Sequence, residues 1–226
     1  MFYGADLTVH LVPHCASVAR DGWIGNHDDR PLSGAGREQA QALAGAVGTG
    51  IDAIYTSPAL RCRQTVEPLA AASRLELVEL PELYEADGFH QPAEWVDGVF
   101  APMGTAVAGA WTAGRALGAL ARMAGTRAGG SVVACSHGDV IPVLLSSLAG
   151  AYRIPLPPLV TRGGWYALRF ADGRLAMASP RAPTDRVRIP GGGRAAADRT
   201  SAGQPVSTPD ETTCVGLRVL ATQGPH

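Results

Sequence analysis

The chain contains no lysine: all 19 of its basic residues are arginine. That excludes a nucleotide-binding loop built on a P-loop lysine, and it excludes Schiff-base chemistry. Phosphate recognition has only arginine and histidine to draw on. Neither sign of charge is in excess. A formal net charge of −1 gives no electrostatic footprint for nucleic acid or an acidic membrane surface. Long apolar runs are missing too, and nothing approaches the ~18–20 residues that span a bilayer. The N-terminal stretch has no basic start, apolar core or small-residue cleavage site, so it does not read as a signal peptide. The four cysteines (Cys15, Cys62, Cys135, Cys214) form no C-x-x-C pair and no secreted-scaffold spacing, and read as reduced thiols. These absences predict a cytoplasmic protein that engages neither nucleic acid nor membrane.

What is present is enough for one well-cored domain. The chain has 226 residues, 46% hydrophobic and 17% charged, and a second full domain would be cramped. Strand and helix patterns alternate. Leu7–Val12, Ile51–Thr56, Leu75–Leu80 and Ser131–Cys135 read as strands. Gly36–Val47, opened by Ser33, the segment Ala59–Ala72 and Asp139–Leu148 read as helices. Trp165–Phe170 and Arg174–Ala178 flank Asp172-Gly173, a hairpin signal. The expected fold is α/β, a three-layer sandwich with a mainly parallel central sheet flanked by helices. Residues 1–180 form the domain, with a helical cap-like insertion at about 87–127. Residues 181–226, rich in Gly, Pro and Ala, read as a flexible tail, with a short strand conceivable at Val215–Ala221. In such sheets ligands bind beyond the carboxyl ends of the strands. His14, Ser57 and Ser136-His137 each follow a strand, so three distant segments are expected to meet at one rim.

Four motifs recur in order. They are Leu11-Val12-Pro13-His14-Cys15-Ala16-Ser17, Pro31-Leu32-Ser33 with Gly36, Gln39 and Ala40, Ser57-Pro58 with Leu60-Arg61-Cys62 and Gln64-Thr65, and Ser136-His137-Gly138. Together they resemble the histidine phosphatase (phosphoglycerate mutase-like) superfamily over roughly residues 7–150. The stretch from Cys135 to Pro142 is also similar, more weakly, to histidine phosphatase domains attached to nucleotide-hydrolysing modules in actinobacteria.

The resemblance implies a phosphoglycerate mutase-like fold and a phosphatase of a small phosphorylated metabolite, working through a phosphohistidine on His14. It implies that Arg61 and His137 donate to the phosphoryl oxygens, with Ser17 assisting. A carboxylic acid with its pKa near the working pH would protonate the leaving oxygen. Glu85, in Leu83-Tyr84-Glu85, fits that place best, and Glu82, in Leu80-Pro81-Glu82, is the second choice. No metal and no organic cofactor is implied, because histidine itself carries the phosphoryl group. The partner would be a phosphorylated small molecule or another anionic ligand, and the oligomeric state stays open. Each residue alone admits a plainer reading: a strand-end or loop histidine, a solvated helix arginine, a surface glutamate. His10 reads as core or edge, His27 and His90 as surface, and Arg37, Glu38, Asp28 and Asp29 as solvated charges.

The chain departs from that family in one serious respect. Pro13 stands where the family carries arginine before its nucleophilic histidine, and Cys15 stands where it carries glycine. Losing one donor aimed at transition-state charge costs about 10²–10³ in rate. Arg20, placed with Arg61 among the phosphate-binding candidates, and Arg63 are the arginines near enough in sequence to compensate. The alternative is a catalytically degenerate or repurposed member of the fold, binding a ligand or performing non-phosphoryl biosynthetic chemistry. A cysteine-phosphatase reading of His14-Cys15 through Arg20 fails on spacing, since four residues rather than five separate Cys15 from Arg20. Zinc at the cysteines lacks a compact ligand pair.

Overall fold

The structure, a computed structural model, describes residues 6–85 and 104–182. Within them, β1 (Leu7–Pro13), α1 (Gly34–Val47), β2 (Ala53–Thr56), α2 (Leu60–Ser73) and β3 (Leu77–Glu79) alternate as the sequence pattern predicts. After β3 come α3 (Gly104–Thr126), β4 (Ser131–Ser136), α4 (Val140–Tyr152) and the hairpin β5 (Trp165–Ala171) and β6 (Arg174–Arg181). The tail after residue 182, the strand expected at Val215–Ala221, and residues 86–103 of the expected insertion lie outside the described residues. Where α3 is described, its several glycines do not interrupt it.

The six strands form one sheet in the order β3-β2-β4-β1-β5-β6. The pairs β2/β3, β2/β4 and β1/β4 are parallel, while β1/β5 and β5/β6 are antiparallel. The sheet is therefore mixed but mostly parallel at its centre. Period-two alternation divides the strand side chains between two cores. Val12, Ile54, Val133 and Trp165 face α1 and α2, where Leu43, Val47, Val66 and Leu69 meet them. Val9, Leu11, Tyr55, Val132, Tyr166 and Leu168 face α3 and α4, against Leu120, Met123, Leu144 and Leu148. Helices on both faces make three layers.

Strand register aligns the carboxyl ends. Pro13 lies opposite Ser136, and Thr56 opposite Cys135. The His14 N–H donates to the Ser136 carbonyl at 2.9 Å, and the Ser57 N–H to the Cys135 carbonyl at 2.9 Å. Three chain segments thus leave the sheet side by side. Pro13 is tolerated because pairing of β1 with β5 ends at Leu11. The N–H that proline lacks points to that vacated side, where no ladder bond is lost.

Candidate active site

The loop after β1 is held by the motif residues that follow it in sequence. Thr65 Oγ1 accepts the Cys15 N–H at 2.9 Å and donates to the Arg61 carbonyl. Gln39 Oε1 accepts from Ala16 N–H, and Gln64 Oε1 from Leu32 N–H, at 2.9 and 2.8 Å. Ser33 caps α1 through Gly36 N–H while its own N–H and hydroxyl donate to the Ala16 carbonyl. Gly36 is required there, because a Cβ would sit 1.8 Å from the Ala16 carbonyl oxygen. Cys15 fits where glycine was expected. Its side chain is fully buried in a small cluster with Leu32 and Ala40. Burial pushes its thiol up to about 11, so it is no nucleophile at neutral pH.

His14 sits at the rim with its tautomer set. Nδ1 lies 2.8 Å from the Cys15 carbonyl, which can only accept, so Nδ1 carries the proton and Nε2 keeps its lone pair. Burial lowers its pKa to about 4, despite the Cys15 bond, with His137, Arg61 and Arg162 adding to the fall. A neutral imidazole stands there at physiological pH.

On one side of His14 lies a locked ionic cluster. The His137 ring meets the His14 ring edge-on, with centroids 5.6 Å apart. Arg61, from the first turn of α2, is wholly buried. Its Nη1 donates to the His27 carbonyl at 2.9 Å and its Nη2 to Glu85 Oε1 at 2.6 Å. His137 Nδ1 converges on the same Glu85 oxygen at 3.0 Å, and its Nε2 lies 2.7 Å from Ser57 Oγ and 3.5 Å from Cys62 Sγ. The 3.3 Å approach of Arg61 Nη2 to His137 Nδ1 follows from that shared acceptor; two donors aimed at one oxygen lie close without bonding each other. Burial alone would lower His137, but Cys62 and Glu85 outweigh it and raise the pKa to about 9. Tyr84, whose hydroxyl donates to Asp28 Oδ1, packs its ring edge against His137.

Glu85, expected to carry a proton with a pKa near the working pH, is ionised in the ligand-free protein. Its bond from His137, together with Arg61, outweighs burial and holds the carboxyl well below the usual carboxylate range. It is a carboxylate here, and the proton of the pair resides on His137. Glu82, the second choice, binds Arg122 of α3 instead. His27 is not a plain surface histidine, since its Nε2 lies 3.6 Å from Glu85 Oε2. Nor is Asp28 merely solvated. His10 is a satisfied core residue between Trp165 Nε1 and Ser131 Oγ. His90 lies outside the described residues.

On the other side of His14 is an open cleft of about 250 Å³. Pro13, Ile141, Pro142, Leu159 and Val160 supply apolar walls, and His14, Gly138, Tyr166 and Arg162 complete the lining. A Cβ added at Gly138 would meet nothing within 4 Å, so space is free beside it. The loop before β5 is pinned by Tyr166, whose hydroxyl accepts from Val160 N–H and donates to the Pro158 carbonyl. Arg162 Nη1 donates to the His14 carbonyl at 3.2 Å. Sequence reasoning missed Arg162, which is 148 positions from His14 and in no motif. Ser17 and Arg20 do not line this cleft. Ser17 is bridged to Leu32 through its backbone, and Arg20 is exposed. Arg63 pairs with Glu79. Among the described residues no group of three or more His, Cys, Asp or Glu could hold a metal ion. Among them, too, no helix is long and apolar enough to cross a membrane.

A three-layer α/β sandwich with its polar residues gathered where the parallel strands end is an architecture shared by many rim-site enzymes. The particular family is also shown: a sequence model of the Histidine phosphatase superfamily (branch 1) matches residues 9–180, and the chain belongs to it. The chain is 31% identical over 182 residues to the 8-oxo-(d)GTP phosphatase of Mycolicibacterium smegmatis. That match covers 79% of this chain and 49% of the relative, so the chain spans about half the relative's length. The alpha-ribazole phosphatase of Shigella flexneri superposes with a TM-score of 0.55 at 20% identity, covering 80% of this chain and all of that one (100%). The phosphoglycerate mutase of Bacillus anthracis str. Sterne does so at 0.57 and 16%, covering 76% and 92%. At such identities these structures show the fold alone.

Proposed function

We propose that the protein is a phosphatase of a small phosphorylated metabolite, working through a phosphohistidine on His14. The observation that carries this reading is the His14 tautomer, neutral and with Nε2 unbonded beside an open cleft. Nε2 attacks phosphorus in line, the N–P bond forms and the P–O bond to the leaving group breaks. The departing oxygen takes the proton shared by His137 and Glu85, on His137 in the free protein. Water then attacks phosphohistidine and returns a proton to that pair, and inorganic phosphate leaves. Arg61 keeps Glu85 ionised and His137 protonated, and its buried Nε–H has no partner in the ligand-free protein. The mainly apolar cleft walls, with Arg162 as their charged member, favour a monoester whose leaving group is small and carries little charge.

A second reading, a repurposed fold that binds an anion without hydrolysing it, is favoured by Pro13 in the cleft wall. Hydrolysis of p-nitrophenyl phosphate by wild type, His14→Ala and Pro13→Arg separates the two. The phosphatase reading expects wild-type turnover that disappears in His14→Ala. A silent wild type with turnover gained in Pro13→Arg supports the repurposed fold.

A further inference from the structure

A phosphoryl group at His14 Nε2 brings two negative charges into the rim, and the transition state spreads them over oxygens that need donors. Arg61 is poorly placed to meet that need alone. Both of its terminal nitrogens are engaged by His27 and Glu85, it is wholly buried, and it does not line the cleft. His137 commits one N–H to Glu85 and faces Ser57 with the other. The cleft side of His14 is walled by Pro13, Ile141 and Pro142, which offer no side-chain donor.

Arg162 is the charged side chain of that wall among the described residues. It reaches His14 from the loop before β5, spends one Nη1 proton on the His14 carbonyl, and is otherwise exposed to the cleft and solvent. A guanidinium carries five N–H donors in a planar fork, so most remain for an anion. The bond to the His14 backbone carbonyl holds the fork beside the residue that carries the nucleophile, and the Tyr166 hydroxyl keeps the neighbouring loop in place. Resting on the phosphatase reading of this cleft, we propose that Arg162 is the phosphate-binding arginine of the cleft: it clamps the phosphoryl oxygens from a wall that holds none of Arg61, Glu85 and His137. The second guanidinium that Pro13 cannot supply comes from a distant loop, not from Arg20 or Arg63.

The test measures p-nitrophenyl phosphate turnover and inhibition by inorganic phosphate in wild type, Arg162→Met and Arg162→Lys. Arg162→Met is expected to lose about 10²–10³ in kcat/KM, as for one removed transition-state donor. The inhibition constant of phosphate should rise at least about tenfold, while the melting temperature stays put because the side chain is exposed. Arg162→Lys should recover part of both losses, since an ammonium restores charge but not the fork. A structural role through the His14 carbonyl alone would leave phosphate inhibition unchanged. Wild-type turnover with Arg162→Met within about threefold on both readouts overturns the assignment and leaves the phosphatase reading intact. If wild type is inactive, titration calorimetry with inorganic phosphate decides. Binding lost in Arg162→Met upholds the residue as an anion clamp without catalysis, whereas equal binding in both, or none in wild type, overturns it.

Discussion

The two sides of His14 are built on opposite principles. Toward Arg61, Glu85 and His137 the structure is closed: charges are paired, and both terminal nitrogens of Arg61 are engaged before any ligand arrives. Toward Arg162, Ile141 and Leu159 it is open and mainly apolar, and Leu159 is 80% exposed. The first side tunes protonation states; the second makes room. A buried ionic cluster is expensive to desolvate and gains little net stability, but it holds a proton on one atom and a negative charge on another. An apolar cleft costs nothing of the kind and can change shape with its substrate. Substitutions should therefore act differently on the two sides, through chemistry and folding on one and through substrate preference on the other.

The largest effect belongs where the two sides meet. His14→Ala should lower p-nitrophenyl phosphate turnover by roughly 10⁴-fold or more, to the level of a protein without its nucleophile, with folding intact by circular dichroism. Next comes the closed side. Arg61→Met takes from Glu85 one of its two buried cations, a loss near the lower end of the ~3–5 kcal/mol range because the carboxylate is partly exposed and keeps His137. That corresponds to a fall of about 6–12 °C in melting temperature, read by calorimetry. An unchanged melting temperature would show that the cluster is not locked. Gly36→Ala forces α1 away from the Ala16 carbonyl and should cost about 1–3 kcal/mol in urea denaturation while loosening the loop that carries His14.

Protonation sharpens the contrast further. His14 must be neutral to attack, so kcat/KM should fall as pH drops through about 4. His137 must hold its proton, so kcat/KM should fall again as pH rises through about 9. Glu85→Gln removes the carboxylate that helps raise His137 and should move the basic limb downward; an unmoved limb would assign it to another group. The smallest effect lies on the open side. Leu159→Ser should change KM for aryl phosphates by only a few-fold, with kcat and melting temperature unaltered.

Much of this was legible in the sequence because each motif has a local job. Ser33 before Gly36 announced a capped helix, and Asp172-Gly173 announced the hairpin. The parallel strands placed His14, Ser57 and His137 at one rim through register alone. What stayed hidden depends on distance through space. Arg162 is carried to the His14 carbonyl by the antiparallel strand β5, and no spacing rule connects the two residues. The charge state of Glu85 was equally invisible. Its sequence context suggested a proton donor, and only the convergence of Arg61 and His137 on one oxygen shows a carboxylate. His27 looked like a surface residue until its carbonyl proved to receive Arg61.

The most direct test of the account is to look for phosphorus on His14. The protein is mixed with a fast-turnover aryl phosphate, quenched in alkali and read by phosphorus NMR and peptide mass spectrometry. The account predicts a base-stable, acid-labile phosphoramidate on the His14 peptide, absent from His14→Ala. Aryl phosphate hydrolysis at full rate in His14→Ala, with no phosphoramidate in wild type, would contradict it.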